Sequence, residues 1–545
     1  MEKVKHPRPD MLRKNFTSLD GEWKFCIGSN RELPTYYINA EFAETVCVPD
    51  HTSFNNDNAY NDVWYKRFFT ITAEQLKGKA FINFLGVGES TNIYINGTPC
   101  MARTGEKSNF CFEISQILNE GENQIVVNVF RTKERNTSLD SSKVFGIWRS
   151  VWIEFTSNAF LSELKTIAAQ DGSAIILRGL AASIKDGYAI NVITFKDDQP
   201  VASYRYEARD KFTLSIPMKD QITPWAPNNP KIYNVEVALL NERGEILDLV
   251  YTYFAYRTLK IINGILFISG QKTQIRGIRV NNEHFFVSDY EEKCKKIRKL
   301  LATSLSLGFN TIFLPYYYID PVFRYYADKI GMIIIEEINQ DPTIFGDKQL
   351  IQENARDIAS LISDESRSPS IIMRSLFTGF YTPGFLADYM YNVAKSADPY
   401  TIITSGGGLV YAADIIEYSG PCANSAGYVK RLMGDAFSFK NEKCEKKFRA
   451  QNPTLAQVSK ISKLAKILNY FNCGDVPYHD VMAEYDFIKI YSHAVKSINS
   501  LGVLGWIYDG LYDTPASRTG FFIEDGSAKL SRLASDTLKQ LNLKQ

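Results

Sequence analysis

The chain has 545 residues, enough for about three or four domains, and its 45% apolar and 13% aromatic content can fill several cores. Its 62 Lys and Arg balance 61 Asp and Glu, and a net charge of +1 offers no field to draw in DNA, RNA or an anionic membrane. Eight scattered cysteines without a Cys-x-x-Cys pair argue against a zinc site and a disulfide framework, so no metal or other cofactor is expected. Met1 to Arg8 has no apolar h-region, and no run reaches the ~18 to 20 apolar residues of a membrane span. The expectation is a cytoplasmic protein.

From Trp23 to about Phe155 short aromatic or β-branched runs alternate with turn signals. Phe81 to Leu85, Asn92 to Ile95 and Asn123 to Phe130 are such runs, and Asn96-Gly97 is such a turn. Many short strands at this spacing predict a jelly-roll β-sandwich over residues 1–157. The texture continues to Arg257 through Ile175 to Leu177, Tyr188 to Ile193 and Tyr233 to Leu239, which fits an immunoglobulin-like β-sandwich over 158–258.

After Leu259 strands and helices alternate. Helical spacing over Tyr290 to Leu307 leads to the strand Thr311 to Leu314, and the helix Pro321 to Ile330 leads to the strand Met332 to Ile335. The helix Leu350 to Ile362, the strand Pro369 to Met373, the helix Gly384 to Ala397 and the strands Thr401 to Thr404 and Asp414 to Ile416 follow. This repetition predicts a parallel sheet, closed as a C-terminal (β/α)8 TIM barrel over 259–545. A Lys-rich, partly helical stretch at about 428–478 breaks the repeat. It reads as solvated helices on an enlarged loop or as a docking surface for a protein partner.

Several stretches resemble glycoside hydrolase family 2, the β-galactosidase and β-glucuronidase group. Leu19 to Phe25 is similar to its opening strand, Val63 to Phe69 to its Trp-Tyr-Arg stretch, and Ile93 to Gly97 to its Val-x-Val-Asn-Gly strand. Gly146 to Trp152, Pro224 to Tyr233 and Phe254 to Arg257 resemble later landmarks in the same order. In the barrel, Ile275 to Ile278, Leu307 to Ile312, Tyr325 to Ile338 and Gly502 to Asp509 continue the likeness. The resemblance implies a retaining glycosidase, in which one Glu protonates the leaving oxygen and another attacks the sugar, both at the C-terminal ends of barrel strands. It implies a carbohydrate ligand, and we also expect a homo-oligomer.

Pro369 to Gly379 aligns with Pro-Ser-Val-Ile-Met-Trp-Ser-Leu-Gly-Asn-Glu, the acid/base stretch of that family. Arg374 replaces the Trp, Thr378 the Asn that holds a sugar hydroxyl, and Gly379 the catalytic Glu. Glycine exchanges no proton, so the general acid is missing. Val280, Asn281 and Asn282 stand where the resemblance expects Arg-His-Glu, and of its Arg-x-x-His-Tyr only Tyr317 survives. Glu484, in Val481 to Asp486, aligns with the nucleophile, but it also reads as a Glu in the first turn of a helix. The resemblance makes Trp506 a sugar platform, and Glu336 and Glu337 supporting residues. Arg374 on a buried strand needs an acid, with Glu336, Glu337, Asp414, Glu417 and Glu484 as candidates, and it either fills the old pocket or binds an anionic ligand. The leading expectation is a pseudo-glycosidase with a binding or assembly role. The alternatives are an active β-glycosidase with a relocated acid such as Glu417 or Glu283, and a carbohydrate-binding protein that stacks sugar on Trp506.

Overall fold

The computed structural model describes residues 5–28, 34–50, 61–88, 90–104, 109–131, 145–169, 172–280, 287, 289–315, 319–338, 348–377, 384–404, 413–419, 465–471, 473, 475–478, 480–499, 503–514, 517–523 and 525–543.

Up to Thr156 two antiparallel sheets lie face to face. One orders Phe16–Ser18, Val151–Thr156, Lys79–Phe84 and Phe110–Glu113 side by side. The other orders Glu44–Val48, Gly21–Ile27, Asp62–Ile71, Gly121–Phe130, Ser90–Ile95 and Thr98–Thr104. Alternate side chains, among them Trp23, Phe25, Val63, Tyr65, Ile93, Ile95, Ile125 and Val127, point between the sheets and form one core. The tight hairpin between Ile95 and Thr98 needs positive φ at two successive residues, which Asn96 at 50° and Gly97 at 78° supply.

A second pair of antiparallel sheets follows. Three strands (Phe160–Ala168, Ala174–Ala182, Lys211–Pro217) face four (Gln199–Glu207, Ala189–Lys196, Tyr233–Leu240, Ile246–Phe254), around Leu161, Leu177, Val192 and Val237. A three-stranded hairpin unit, Leu259 to Thr273, then leads into the last region.

There eight parallel strands alternate with helices. The strands are β1 (Ile275–Arg279), β2 (Thr311–Leu314), β3 (Ile333–Glu337), β4 (Ile371–Ser375), β5 (Ile402–Thr404), β6 (Ile415–Ser419), β7 (Ala465–Phe471) and β8 (Gly505–Tyr508). The helices are α1 (Tyr290–Ser306), α2 (Pro321–Ile330), α3 (Lys348–Glu365), α4 (Gly384–Ala397), α5 (Val481–Asn499) and α6 (Arg532–Leu543). Laterally the strands run β5-β4-β3-β2-β1-β8-β7-β6, the order of a cylinder cut between β5 and β6. Asp414 closes the cut: its N–H donates to the Ile403 carbonyl at 2.8 Å, and its carboxylate accepts from the Ile403 N–H at 2.9 Å.

Helix starts follow their caps. Asp289 accepts from the Glu292 N–H at the head of α1, and Asp320 with Pro321 behind it does the same for α2. One expectation changes: residues 465–471, inside the stretch read as a Lys-rich insert at 428–478, are β7, and Cys473 and Val476 are buried in the core beyond it. The strand supplies an apolar side chain to the lumen at Ile467. Residues 420–464 lie outside the described residues.

Candidate functional site

The lumen has an apolar floor. Ile275, Phe313, Ile333, Ile335, Met373, Ile402, Ile415, Ile467 and Ile507 meet there, and Trp225, Leu266 and Ile268 close the cylinder beneath them. Trp225 is fixed by its indole N–H, which donates to the Asp328 carbonyl at 2.7 Å. The next residues inward along the strands are polar, because side chains alternate faces. Arg279 ends β1 with its guanidinium carbon 5.8 Å from the Phe313 ring centre. Glu337, Ser375 and Thr404 end β3, β4 and β5 at paired register positions, all nearly or fully buried. The Ser375 hydroxyl has no hydrogen-bond partner among the described groups. These four residues lie at the barrel mouth, the place where barrel folds carry their chemistry.

Arg374 does not reach this mouth. It lies on the other face of β4, fully buried against the ends of α3 and α4, among the acids that the sequence asked for. Its Nε donates to Glu336 Oε2 at 3.0 Å and its Nη2 to Glu365 Oε2 at 3.3 Å. Its Nη1 donates to Thr401 Oγ1 at 3.2 Å and lies 3.6 Å from Asp398 Oδ2. The Thr401 hydroxyl in turn donates to Asp398. Burial and the neighbouring Glu365 push the Glu336 carboxyl well above the usual carboxylate range, against the pull of Arg374. The sequence names Glu336 as a partner. Glu365 and Asp398 carry no sequence signal, since each merely stands at the end of a helix, Glu365 nine residues before Arg374. Asp414, another candidate partner, is occupied by the barrel seam, Lys395 at 3.0 Å and the Tyr391 hydroxyl at 2.9 Å.

Trp506 is likewise turned away from the lumen. Fully buried, it packs edge-on to Phe309 and to Tyr491 of α5, with ring centres 6.0 and 6.3 Å away, in the layer between strands and helices. Its neighbour Ile507 takes the lumen side. Strand parity thus places the indole, expected as a sugar platform, in the packing layer.

Glu484 sits in the first turn of α5, and 4% of its surface is exposed. Its Oε1 accepts from the Ser531 N–H at 2.9 Å and its Oε2 from the Ser531 hydroxyl at 2.5 Å. Ser531 immediately precedes α6, so this carboxylate fastens the heads of two neighbouring helices. Tyr317, Thr378 and Gly379 lie outside the described residues, as do Tyr316 and 281–284. Of Glu417 only its place in β6 is described. Among the described residues no group of three or more His, Cys, Asp or Glu could hold a metal ion, and no helix is long and apolar enough to cross a membrane.

Comparison with known proteins adds three findings. Residues 52–156 match the family described as "Glycosyl hydrolases family 2, sugar binding domain". A protein of Formosa agariphila with a provisional beta-glucuronidase name is 25% identical over 382 residues, 67% of this chain and 46% of that protein. The beta-galactosidase of Enterobacter cloacae is 21% identical over 452 residues, 73% of this chain and 44% of its own. The chain spans a little under half the length of these relatives. Among solved structures, a Bifidobacterium dentium beta-glucuronidase complexed with coumarin-3-O-glucuronide is similar with a TM-score of 0.75 at 15% identity, over 98% of both chains. An uncultured Clostridium sp. beta-glucuronidase gives 0.77 at 14% identity, over 97% of this chain and 98% of its own. At these identities the likeness is one of fold.

Proposed function

We propose, for a chain that belongs to glycoside hydrolase family 2, that hydrolysis has been lost and that the retained barrel mouth serves a binding or assembly role. Retaining hydrolysis needs two carboxylates about 5 to 5.5 Å apart. The acid/base position carries Gly379, which can neither donate nor accept a proton.

The observation that carries the proposal concerns the other carboxylate. β7 ends in Asn469, Tyr470 and Phe471, with no acid at the strand end where a nucleophile belongs. Glu484, which aligns with the nucleophile, lies in the following helix with both oxygens engaged by Ser531. Two vacant roles at two strand ends support loss of turnover more strongly than either alone. The names of the relatives suggest a hexose or a hexuronic acid as ligand, with Arg279, Glu337, Ser375 and Thr404 as the polar contacts. A protein partner docking through residues 428–464 is the assembly form of the same reading.

The test is hydrolysis of aryl β-glucuronides and β-galactosides with good leaving groups, which need no general acid. Wild-type protein is expected to release no aryl alcohol above background, and Gly379→Glu alone to restore none, because a site must be held to about 0.5 Å. Cleavage by the wild type that Glu484→Gln abolishes would overturn the proposal and make Glu484 a nucleophile.

A further inference from the structure

Residues 5–13 thread between the two sandwiches and the barrel, and His6, Asp10 and Arg13 bury their polar side chains there. Arg13 stands at the centre. Its Nη1 donates to Glu154 Oε2 at 2.6 Å, on the jelly-roll strand Val151–Thr156. Its Nε and Nη2 donate to the two oxygens of Asp248 at 3.0 Å each, on the second sandwich's strand Ile246–Phe254. Nη2 also donates to the Leu161 carbonyl.

The flanking residues extend the junction. His6, fully buried, brings Nε2 to 3.3 Å from Glu154 Oε1 and packs edge-on to Phe16 and Trp152. Leu12 pairs with Tyr251 through two backbone hydrogen bonds of 2.8 and 2.9 Å, so the segment adds itself to the second sandwich. Asp10 reaches the barrel: Arg367 lies 3.6 Å from its carboxylate, donates to its carbonyl at 3.2 Å, and the Thr252 hydroxyl donates to that carbonyl at 2.7 Å. From there buried charges continue through Arg324, 3.9 Å from Glu365, to Arg374 and Glu336 behind β3 and β4.

We propose that residues 5–13 are an interdomain clasp, centred on Arg13, that couples the two sandwiches to the barrel wall carrying the strand ends Glu337 and Ser375. Three groups from the two sandwiches converge on one guanidinium, and removing it leaves Glu154 and Asp248 as buried charges short of their cation. Interfaces within a chain are otherwise of a size that permits relative motion. The clasp makes the three regions one cooperative unit, and a change in the wall behind β3 and β4 is felt at the N-terminal segment.

The experiment uses the full chain, with calorimetry and hydrogen exchange. Wild-type protein is expected to melt in one transition. Arg13→Met is expected to split it in two, the barrel melting at the higher temperature, and to raise exchange at least tenfold in both Val151–Thr156 and Ile246–Phe254 while β2 and β3 keep their protection. A wild type that already melts in separate transitions overturns the proposal, as does an Arg13→Met protein that melts in one with exchange raised evenly throughout. Should Arg13→Met fail to fold, Arg367→Gln cuts only the barrel side. Its melting must then separate barrel from sandwiches, and a single transition counts against the clasp.

Discussion

Burial, with Glu365 beside it, pushes the Glu336 carboxyl up, and the consequence for pH follows from the direction of that shift. A carboxyl whose folded pKa is raised binds more protons folded than unfolded above about pH 4.3, so its contribution to stability falls as pH rises. Glu336→Gln keeps a neutral hydrogen-bonding group facing Arg374 and Glu365 and removes that titration. Its cost at pH 7 is expected within about 1 kcal/mol, with a flatter stability curve between pH 5 and 8 by urea unfolding. Equal slopes in the two proteins would contradict the raised Glu336 carboxyl. The need for such a cluster was legible at Arg374, since a guanidinium in a buried strand demands acids. Its full membership was not, because Glu365 and Asp398 become neighbours only when α3 and α4 pack against β4.

Element positions were legible wherever periodicity or caps spoke. The Asp320-Pro321 start and the Gly331 stop of α2 are of that kind, as is the Asn96-Gly97 turn. β7 and β8 show where that legibility ends. Gly505 to Tyr508 is buried on both faces, so an unbroken apolar run holds no record of which side chain looks inward, and Trp506 could be assigned a face only from its contacts. Ala465 to Phe471 has Asn472, Gly474, Asp475 and Pro477 to mark its end, but no Gly or Pro marks its start, where it continues the Lys-rich sequence. Deleting residues 428–478 is accordingly expected to abolish the barrel's cooperative unfolding, since it takes out β7 with the core contacts of Val476, whereas deleting 428–460 spares that strand. Circular dichroism melts of the two deletions check this, and a cooperative transition in the longer one would count against it.

Over the whole molecule the order of two sandwiches and a barrel could be read from strand spacing and the later alternation of strand and helix. The seams between them could not, because they are built from single charges scattered along the chain. One of these sets the acid limit. Burial alone would push the Glu154 carboxyl up, yet His6, Arg13 and Trp152 outweigh it and hold it down to about 2. A depressed folded pKa gives stability that is full above the unfolded value, about 4.3, and is lost as pH falls toward 2. That contribution is on the order of 3 kcal/mol at neutral pH. Wild-type stability is expected to fall steeply between about pH 4.5 and 2, and Glu154→Gln, less stable at pH 7, to fall less over that range. Parallel acid profiles would show that the seam does not depend on this charge.

Seven of the eight junctions around the cylinder are hydrogen-bonded ladders between strands, and the eighth rests on Asp414 alone among the described residues. Such a wall is mechanically anisotropic. A ladder resists parting along its whole length, while a junction fastened by one residue yields once that residue's two bonds to Ile403 let go. Among the described residues the seam between β5 and β6 is the junction without a strand ladder. Thermal breathing of the mouth should be widest there, beside Thr404, and the rim on the side of β1 to β3 should stay comparatively rigid.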